Sequence, residues 1–323
     1  MAGAILTQGD AYLADYPNTG LYDQDISFSP DTSFGVQLKT HLNTESEFII
    51  QLLSHGAHNF DIDVDWAYIN LNLNSELSLQ VGRKRLPLYY YSDFFNLGFA
   101  YYWMRPPNDN YTWQITNYNG VSLLYEPDFE NWDASFNVYI GREDDDENRL
   151  LTFFNQGVTV SESWKNIIGL VAELSDDIFE YRFTIMSSQL TRSSEGNVTS
   201  DGVKQLFYGL SINARFDNAT ILSELNHYTR PKDNSDITTY MLSYGYKISH
   251  KTTPHFTYSS LKESHPLGNH IEQHNTVSVG IRHDLKKDTA LKIQYDITTD
   301  KGTGNAVIVG DGELLSFGLD IVF

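Results

Sequence analysis

The sequence contains no cysteine, and its basic residues are few beside its acidic ones. Without cysteine there can be no disulfide, thiolate metal ligand or cysteine nucleophile. With 22 basic and 42 acidic residues, the 323-residue chain carries a formal net charge of −20. This charge repels nucleic-acid phosphates, and no basic arm offsets it, so we expect no nucleic-acid partner.

Long apolar runs are missing as well. No uninterrupted apolar stretch approaches the roughly 18 residues that a membrane-spanning helix needs, which excludes a helical membrane protein. The missing apolar runs do not exclude a membrane β-barrel, because its strands alternate apolar and polar residues. Aromatic residues make up 14% of the chain, which favours a protein with an apolar outer surface.

Alternation of apolar and polar residues with a period of two dominates the chain. In the segment 32–42, for example, Phe34, Val36 and Leu38 share one face. This pattern is typical of strands with one apolar and one polar face. We predict about sixteen strands, at residues 3–13, 32–42, 46–54, 61–71, 76–86, 118–126, 132–141, 166–174, 178–188, 204–215, 219–228, 237–248, 254–261, 275–284, 289–299 and 313–323.

The links between these strands alternate in length. Links after even-numbered strands are short, as at 43–45, whereas most of the others are long and polar, as at 191–202. This predicts an all-β fold: a closed antiparallel transmembrane β-barrel of about sixteen strands, forming one domain over residues 1–323. A soluble β-sandwich or jelly roll also alternates, but so many strands would have to split into two sheets, and no linker marks the division.

Two parts of the chain resemble a known family. The C-terminal stretch 316–323 alternates and ends in phenylalanine. Residues 65–107 contain several short motifs: Asp65-Trp66-Ala67-Tyr68, Leu79 to Leu88, Tyr91-Ser92-Asp93 and Tyr101 to Pro107. Together they resemble the gammaproteobacterial porin-like proteins of the Gram-negative outer membrane, although Tyr102 stands where that group has proline. The resemblance implies a porin, commonly a homotrimer, without catalytic residues or cofactors.

An outer-membrane location implies membrane lipid and lipopolysaccharide as neighbours, and small hydrophilic solutes as cargo. Met1 leads straight into mixed polar sequence, so we expect it to replace a removed export signal. We interpret the acidic run 143–147 as a solvated extracellular loop, which divalent ions could bridge to lipopolysaccharide.

The longest connection, residues 87–117, is the third on the long-loop side. By the resemblance, this loop folds into the barrel and narrows it. A loop so rich in aromatic residues should pack against something rather than stay in water. Its rings either anchor the loop to the inner wall or form a stacking track for sugars. The rings in question are Tyr89, Tyr91, Phe95, Tyr101 and Trp103.

Arg83 and Arg85 present a problem of direction. Simple alternation points both towards lipid, where a charge at the midplane costs about 2–4 kcal/mol. We therefore predict a bulge at Gly82 that turns both inward. They would oppose acidic residues of the loop across a constriction that selects by size and charge, or they would only pin the loop through ion pairs. The predicted constriction residues are Arg83, Arg85, Asp93, Arg105 and Asp109.

Further charged residues are predicted to line the lumen. Asp61, Asp63 and Asp65 share one strand face about 6.6 Å apart, which indicates an acidic stripe. A calcium site would need more converging oxygen ligands, so we predict no metal. The net charge favours cations weakly. The basic lumen residues are Lys39, Arg182, Arg215, Lys247, Arg282 and Lys292.

No motif for catalysis appears, and Ser259 near His255 on one strand face is not a triad, so we predict no enzyme. Three functions remain open. The first is a general diffusion channel, the second is an oligosaccharide porin that uses the aromatic residues, and the third is a structural barrel plugged by its own loops.

Overall fold

A computed structural model describes residues 1–15, 19–155, 157–232, 235–264, 271–303 and 310–323. In this part of the chain the fold is all-β, and it contains no helix long and apolar enough to cross a membrane. The strands are β1 Ala2–Gln8, β2 Tyr12–Asp15, β3 Gly20–Tyr22, β4 Ser33–His41, β5 Ser46–His55, β6 Ile62–Asn72, β7 Leu77–Arg85, β8 Asn117–Tyr125, β9 Asp128–Phe129, β10 Trp132–Asp145, β11 Val160–Ser175, β12 Phe179–Ser194, β13 Asn197–Arg215, β14 Ala219–Arg230, β15 Ser235–Tyr246, β16 Thr252–Ser264, β17 Gln273–Lys286, β18 Thr289–Asp300 and β19 Gly312–Ile321. The helices are α1 Arg149–Phe154 and three 3₁₀ turns, Gly56–His58, Ser92–Phe94 and Gly98–Ala100.

Seventeen of these strands form one antiparallel sheet, and β2 and β3 form a separate hairpin. Each long strand pairs with the next along the chain, from β4 to β8, from β8 to β10, and from β10 to β19. The last strand, β19, pairs with β1. On the other side of β1, Ala4 and Ser27 exchange backbone hydrogen bonds of 2.9 and 3.0 Å. The segment that leads into β4 therefore lies beside β1.

Each predicted strand overlaps an observed one, but the described residues form nineteen strands rather than about sixteen. The additional strands are β2, β3 and β9, of four, three and two residues. The first prediction, 3–13, was wrong in extent, because β1 ends at Gln8. Gly9 follows with φ +104, and a Cβ there would lie 2.6 Å from the carbonyl oxygen of Asp311. This close approach turns the chain before β2.

The predicted long link at 191–202 is also wrong. The structure continues β12 to Ser194 and starts β13 at Asn197. Glu195 and Gly196, with φ of 49° and 78°, form a two-residue turn of the kind that matches strand twist. The prediction failed because the ends of these two strands carry polar residues on both faces, so apolar and polar residues do not alternate there.

The distribution of side chains across the sheet is the reverse of that in a water-soluble domain. On β15, Thr239 and Ser243 are fully buried, whereas Tyr240, Leu242 and Tyr244 are 43%, 54% and 45% exposed. The strands β16 to β18 repeat the pattern: Thr257, Ser278 and Gln294 are buried, whereas Phe256, Val279 and Ile293 are exposed. An apolar exterior of this extent is stable against hydrocarbon rather than water.

The predicted bulge at Gly82 is absent. The pairing of β7 with β8 runs through Gly82 without a register shift. Instead, Gly82 pairs with Gly120, and Gly120 with Gly141, so that three glycines lie side by side. A Cβ at any of them would come within 2.5 Å of a neighbouring carbonyl oxygen. The three strands approach closely at this row, and only glycine fits it.

The bulge lies one strand away, in β6. Gln51 pairs with Trp66 and Leu52 with Val64, so Asp65 is the extra residue. The bulge directs Asp65 towards Arg85, and the two buried side chains form an ion pair with an N–O distance of 3.3 Å.

Candidate functional site

Residues 86–116, hereafter the inner loop, connect β7 to β8 and lie against the inward face of the sheet. The Arg182 Nη2 donates to the carbonyl oxygen of Pro87 at 2.7 Å. Further along the loop, the Trp103 Nε1 donates to the Thr257 Oγ1 at 2.8 Å, and the Met104 backbone N–H donates to Gln294 at 2.9 Å. These partners belong to β12, β16 and β18, so the loop crosses the inward face from one side to the other.

Two basic wall residues hold the backbone of the inner loop. Arg282 donates to the carbonyl oxygens of Phe99 and Tyr101 at 2.7 and 2.9 Å. Lys292 donates to that of Gly98 at 2.5 Å. Like Arg182, they face inward, but their hydrogen-bonding groups point at the loop instead of at open space.

Arg105 lies on the same anchored side of the loop. Its guanidinium donates to Asp31 at 2.6 Å, to Ser316 at 2.8 Å and to Asp296 at 3.2 Å. Arg105 is 8% exposed. The structure therefore places Arg105 among acidic partners of its own, apart from Arg83 and Arg85, with which the sequence had grouped it.

Asp109, 2% exposed, is also at an anchor point. It accepts from Ser259 at 2.7 Å and pairs with the Nδ1 of His274 at 2.5 Å. Burial raises the pKa of Asp109, but the charge of His274 and the hydrogen bonds from His274 and Ser259 outweigh it, so the pKa falls below its usual range. Ser259, weighed above beside His255, thus bonds to a loop carboxylate.

The aromatic residues of the inner loop pack on one another. The ring centres of Tyr91 and Trp103 are 5.5 Å apart, and those of Tyr91 and Tyr101 are 5.6 Å apart, in edge-to-face arrangements. Tyr89 is likewise buried, and only Phe95 is half-buried, with the Arg85 guanidinium 5.7 Å from its centre. This packing suits the anchoring interpretation, since little ring surface is left for a sugar.

The carboxylates around Arg83 differ from the prediction. Arg83 donates to Glu143 at 2.7 and 2.9 Å. Glu143 was interpreted as part of a solvated loop, which is wrong, because β10 extends to Asp145 and Glu143 is buried. Burying a charged carboxylate costs free energy, and the ion pair with Arg83 offsets part of that cost.

The predicted acidic stripe does not converge. Asp61 is exposed in the link before β6, and Asp63 lies 3.8 Å from Arg149. Asp65 is turned towards Arg85 by the bulge. Within the described ranges, no group of three acidic or histidine side chains could hold a metal ion.

The remaining predicted lumen residues lie near the short-turn side. Lys39 pairs with Glu47 at 2.8 Å, and Arg215 lies 3.4 Å from Glu180 and donates to the Tyr90 hydroxyl. Lys247 is exposed in the turn after β15, outside the sheet.

Three cavities lie in series along the inward faces of β4 to β8 and β10 to β12, and residues of the inner loop line the outer and the middle one. The outer cavity, of about 570 Å³, reaches the acidic run 143–147. It shares Arg85 with a middle cavity of about 230 Å³. The middle cavity shares Tyr68 and Gln80 with an inner cavity of about 340 Å³. Adjacent cavities thus have common walls, and the middle one is the smallest of the three.

Lys84 and Asp93 bring opposite charges to the middle cavity. The Lys84 ammonium donates to Ser122 at 3.3 Å and to Gln80, and lies 5.3 Å from the centre of the Tyr68 ring. Among the described residues, neither Lys84 nor Asp93 has an oppositely charged partner within 4 Å, whereas Arg182 in the same cavity pairs with Glu173.

Sequence reasoning passed over Lys84 in favour of its two neighbours. The signal was present, since alternation from Gln80 through Gly82 already places Lys84 on the polar face. Asp93 was predicted. Of the five predicted constriction residues, it is the one that lines a cavity and has no ion-pair partner among the described residues.

The chain is similar to known proteins in sequence family and in fold. The family model described as "Gram-negative porin" matches residues 11–303. Curated proteins give no match. Solved structures match over 100% of this chain: OmpT of Vibrio cholerae (12% identity, TM-score 0.63, 95% of that chain), an anion-selective porin from Comamonas acidovorans (13%, 0.62, 99%) and the outer-membrane channel DcaP of Acinetobacter baumannii (9%, 0.69, 94%). At these identities the structural likeness shows the fold alone.

The family match covers most of the chain, so the protein belongs to the Gram-negative porin family. It is an outer-membrane protein of the channel-forming class, as the resemblance at residues 65–107 indicated.

Proposed function

We propose that the chain forms a closed barrel of sixteen strands, β1, β4 to β8 and β10 to β19, complete where β1 meets the segment that leads into β4. The backbone bonds between Ala4 and Ser27 support closure, as does the stacking of Phe34 on Phe323 with ring centres 6.2 Å apart. Closure would leave no unpaired strand edge in lipid, where an unpaired backbone group costs several kcal/mol.

The function we propose is passive diffusion of small hydrophilic solutes and ions through this barrel. The observation that carries the proposal is the series of three cavities with shared walls, two of which the inner loop lines. The inner loop narrows the path most at the middle cavity. Opposite charges there, from Lys84 and Asp93, would set up a transverse field that selects by charge.

We further propose a preference for cations. The outer cavity has seven carboxylates on its wall against three guanidinium groups. An acidic mouth raises the local concentration of cations and repels anions. The Comamonas acidovorans porin is described as anion-selective, so this chain would differ from that neighbour in its ion preference.

The assembly we propose is a homotrimer surrounded by membrane lipid. A trimer form of Vibrio cholerae OmpT, 12% identical, matches 100% of this chain and 98% of that chain with a TM-score of 0.62. Phe34, Val36 and Leu38 of β4 are exposed, which gives the barrel an apolar face near its closure that a second copy could cover.

Planar-bilayer recording under a KCl gradient tests the channel. We expect a stable conductance and a reversal potential of cationic sign. Asp93→Asn should shift that potential towards anions and Lys84→Gln further towards cations, whereas the control Lys247→Gln in the exposed turn should not. Reversal potentials unchanged in both variants would remove Lys84 and Asp93 from the path. A complete absence of conductance would favour the plugged structural barrel.

A further inference from the structure

Three residues that line the middle cavity each have a buried polar atom without a hydrogen-bond partner among the described residues. These atoms are the indole Nε1 of Trp66, the side-chain Oδ1 of Asn137 and the guanidinium Nε of Arg182. Unpaired buried polar atoms are rare in folded proteins, so such a group at one cavity needs an explanation. The two nitrogens can only donate and the amide oxygen can only accept, so together they suit a ligand with both acceptors and donors.

The same cavity holds one positive and one negative charge that do not neutralise each other. Lys84 projects from β7 and Asp93 from the inner loop, and among the described residues neither has an oppositely charged partner within 4 Å. The other charged side chains of the wall have an ionic partner or lie in an exposed turn: Arg85 with Asp65, Arg182 with Glu173, and Glu126 after β8. Lys84 and Asp93 are therefore the two charges that a ligand inside the cavity meets.

Size and charge together restrict the class of ligand. The volume of about 230 Å³ suits a small solute, since pockets for drug-sized ligands measure about 300–1,000 Å³. A neutral sugar would leave both charges unmatched, and an ion of one sign would attract one of the two residues and repel the other. A solute with both an ammonium and a carboxylate matches both. Its carboxylate also accepts from the unpartnered donors, and its ammonium donates to the Asn137 oxygen.

We propose that the middle cavity is a binding site for small zwitterions of the free amino acid class. The ligand carboxylate binds Lys84 and the Trp66 N–H, and the ligand ammonium binds Asp93 and the Asn137 oxygen. The site deepens the proposed channel function and rests on it, because the cavity is the narrowest step of the proposed path. Asp93 is exposed to water, so each ionic contact adds at most about fivefold to the affinity. Such weak binding lets a solute enter the site and leave it again.

Saturation-transfer NMR of the detergent-solubilised protein tests the site, because it detects weak ligands and does not depend on ion flow. The ligands are four molecules of matched size that differ in charge. Alanine has both charges, alaninamide only the ammonium, lactate only the carboxylate, and lactamide neither. We expect alanine to bind saturably, each singly charged analogue to bind about fivefold more weakly, and lactamide about 25-fold more weakly.

Variants of the site should show a crossed pattern. Asp93→Asn should weaken alanine about fivefold without weakening lactate, and Lys84→Gln should weaken alanine about fivefold without weakening alaninamide. Trp66→Phe keeps an aromatic ring but loses the N–H, so it should weaken alanine and lactate but not alaninamide. The matched controls Asp217→Asn and Lys247→Gln, both in exposed turns, should leave all four affinities within about twofold.

Equal affinities for alanine and lactamide would overturn the site, and so would a variant that weakens all the ligands alike. A preference of the unchanged protein for lactate or alaninamide over alanine would also overturn it and assign the cavity to ions of one sign. If Asp93→Asn does not fold, Lys84→Gln carries the test through its opposite pattern. Conductance without discrimination among the four ligands would remove the site and keep the channel, whereas alanine binding without conductance would remove the channel and keep the site.

Discussion

Removing the Arg105 guanidinium should release the inner loop from the wall. Arg105 joins the loop to Asp31 and to Asp296 and Ser316 of β18 and β19 through buried hydrogen bonds. In Arg105→Met the apolar stem stays, but both carboxylates lose their positive partner. They become buried unpaired charges, which are far more costly than the loss of a hydrogen bond.

The free-energy cost of Arg105→Met depends on the hydrogen bonds that each carboxylate still accepts in the variant. Asp31 still accepts from the Tyr22 hydroxyl at 2.8 Å, and Asp296 from Gln294 at 2.8 Å. Breaking a buried ion pair by removal of one partner costs about 3–5 kcal/mol, and these remaining bonds favour the lower end. A loss of about 3 kcal/mol makes opening of the loop about 100-fold more frequent.

Hydrogen–deuterium exchange measured by peptide mass spectrometry checks this value. Amides of residues 86–116 should exchange about 100-fold faster in Arg105→Met, with the strands unaffected. The control is Lys39→Gln, whose exposed ion pair with Glu47 lies away from the inner loop and contributes at most about 1 kcal/mol. A triple variant that also carries Asp31→Asn and Asp296→Asn should recover much of the protection, since no buried charge is left unpaired.

Equal exchange rates in the Arg105 and Lys39 variants would refute the reasoning. So would a failure of the two Asn substitutions to restore protection, because the cost would then come from lost packing and not from unpaired charge. Conductance gives a second readout, since a loop that opens should add current noise in Arg105→Met.

Three further predictions use other parts of the site. The pKa of Asp109 is lower in the folded protein than in the unfolded chain, so its ion pair stabilises the fold above the ordinary carboxyl pKa. This stabilisation is lost as the pH falls towards the lower, folded value. The free energy of unfolding, measured in urea between pH 3 and 6, should therefore decline below about pH 4, and Asp109→Asn should lack this decline. Gly82 has a φ of +143, and a Cβ there would lie 2.3 Å from a backbone oxygen, so Gly82→Val should prevent refolding into vesicles. Gel mobility measures the refolding, and the control Val81→Ile should refold. Maltohexaose at low concentration should leave single-channel current unblocked, because Tyr91 and Trp103 are buried; block would restore the sugar-track hypothesis.

The strands could be predicted from the sequence because the period of two is a local signal. Each strand shows it within about ten residues, and lipid outside and water inside impose it everywhere. The prediction failed where this contrast ends. At 191–202 both faces contact water, so the ladder continues through residues that do not alternate.

The inner loop could not be oriented in the same way. It has no period, and the partners that decide which side faces the wall lie far away in sequence, as with Arg105 and Ser316, 211 positions apart. Arg105 and Asp109 have the same residue types as Arg85 and Asp93, and only tertiary contacts separate them. The bulge shows the same limit, because alternation revealed a defect near Arg85 but not that β6 carries it.

The inner loop divides its charges between two environments, and this division indicates where water runs. On the anchored side, Arg105 and Asp109 have charged partners at hydrogen-bonding distance, as a region without water requires. On the other side, Asp93 of the loop and Lys84 of β7 line the middle cavity, and neither has an oppositely charged partner within 4 Å among the described residues. An unpaired charge removed from water would cost several kcal/mol, so these two groups can stay ionised only if water reaches them. The outer and middle cavities, which the loop lines, lie on that side, and this is the physical reason to place the proposed diffusion path there.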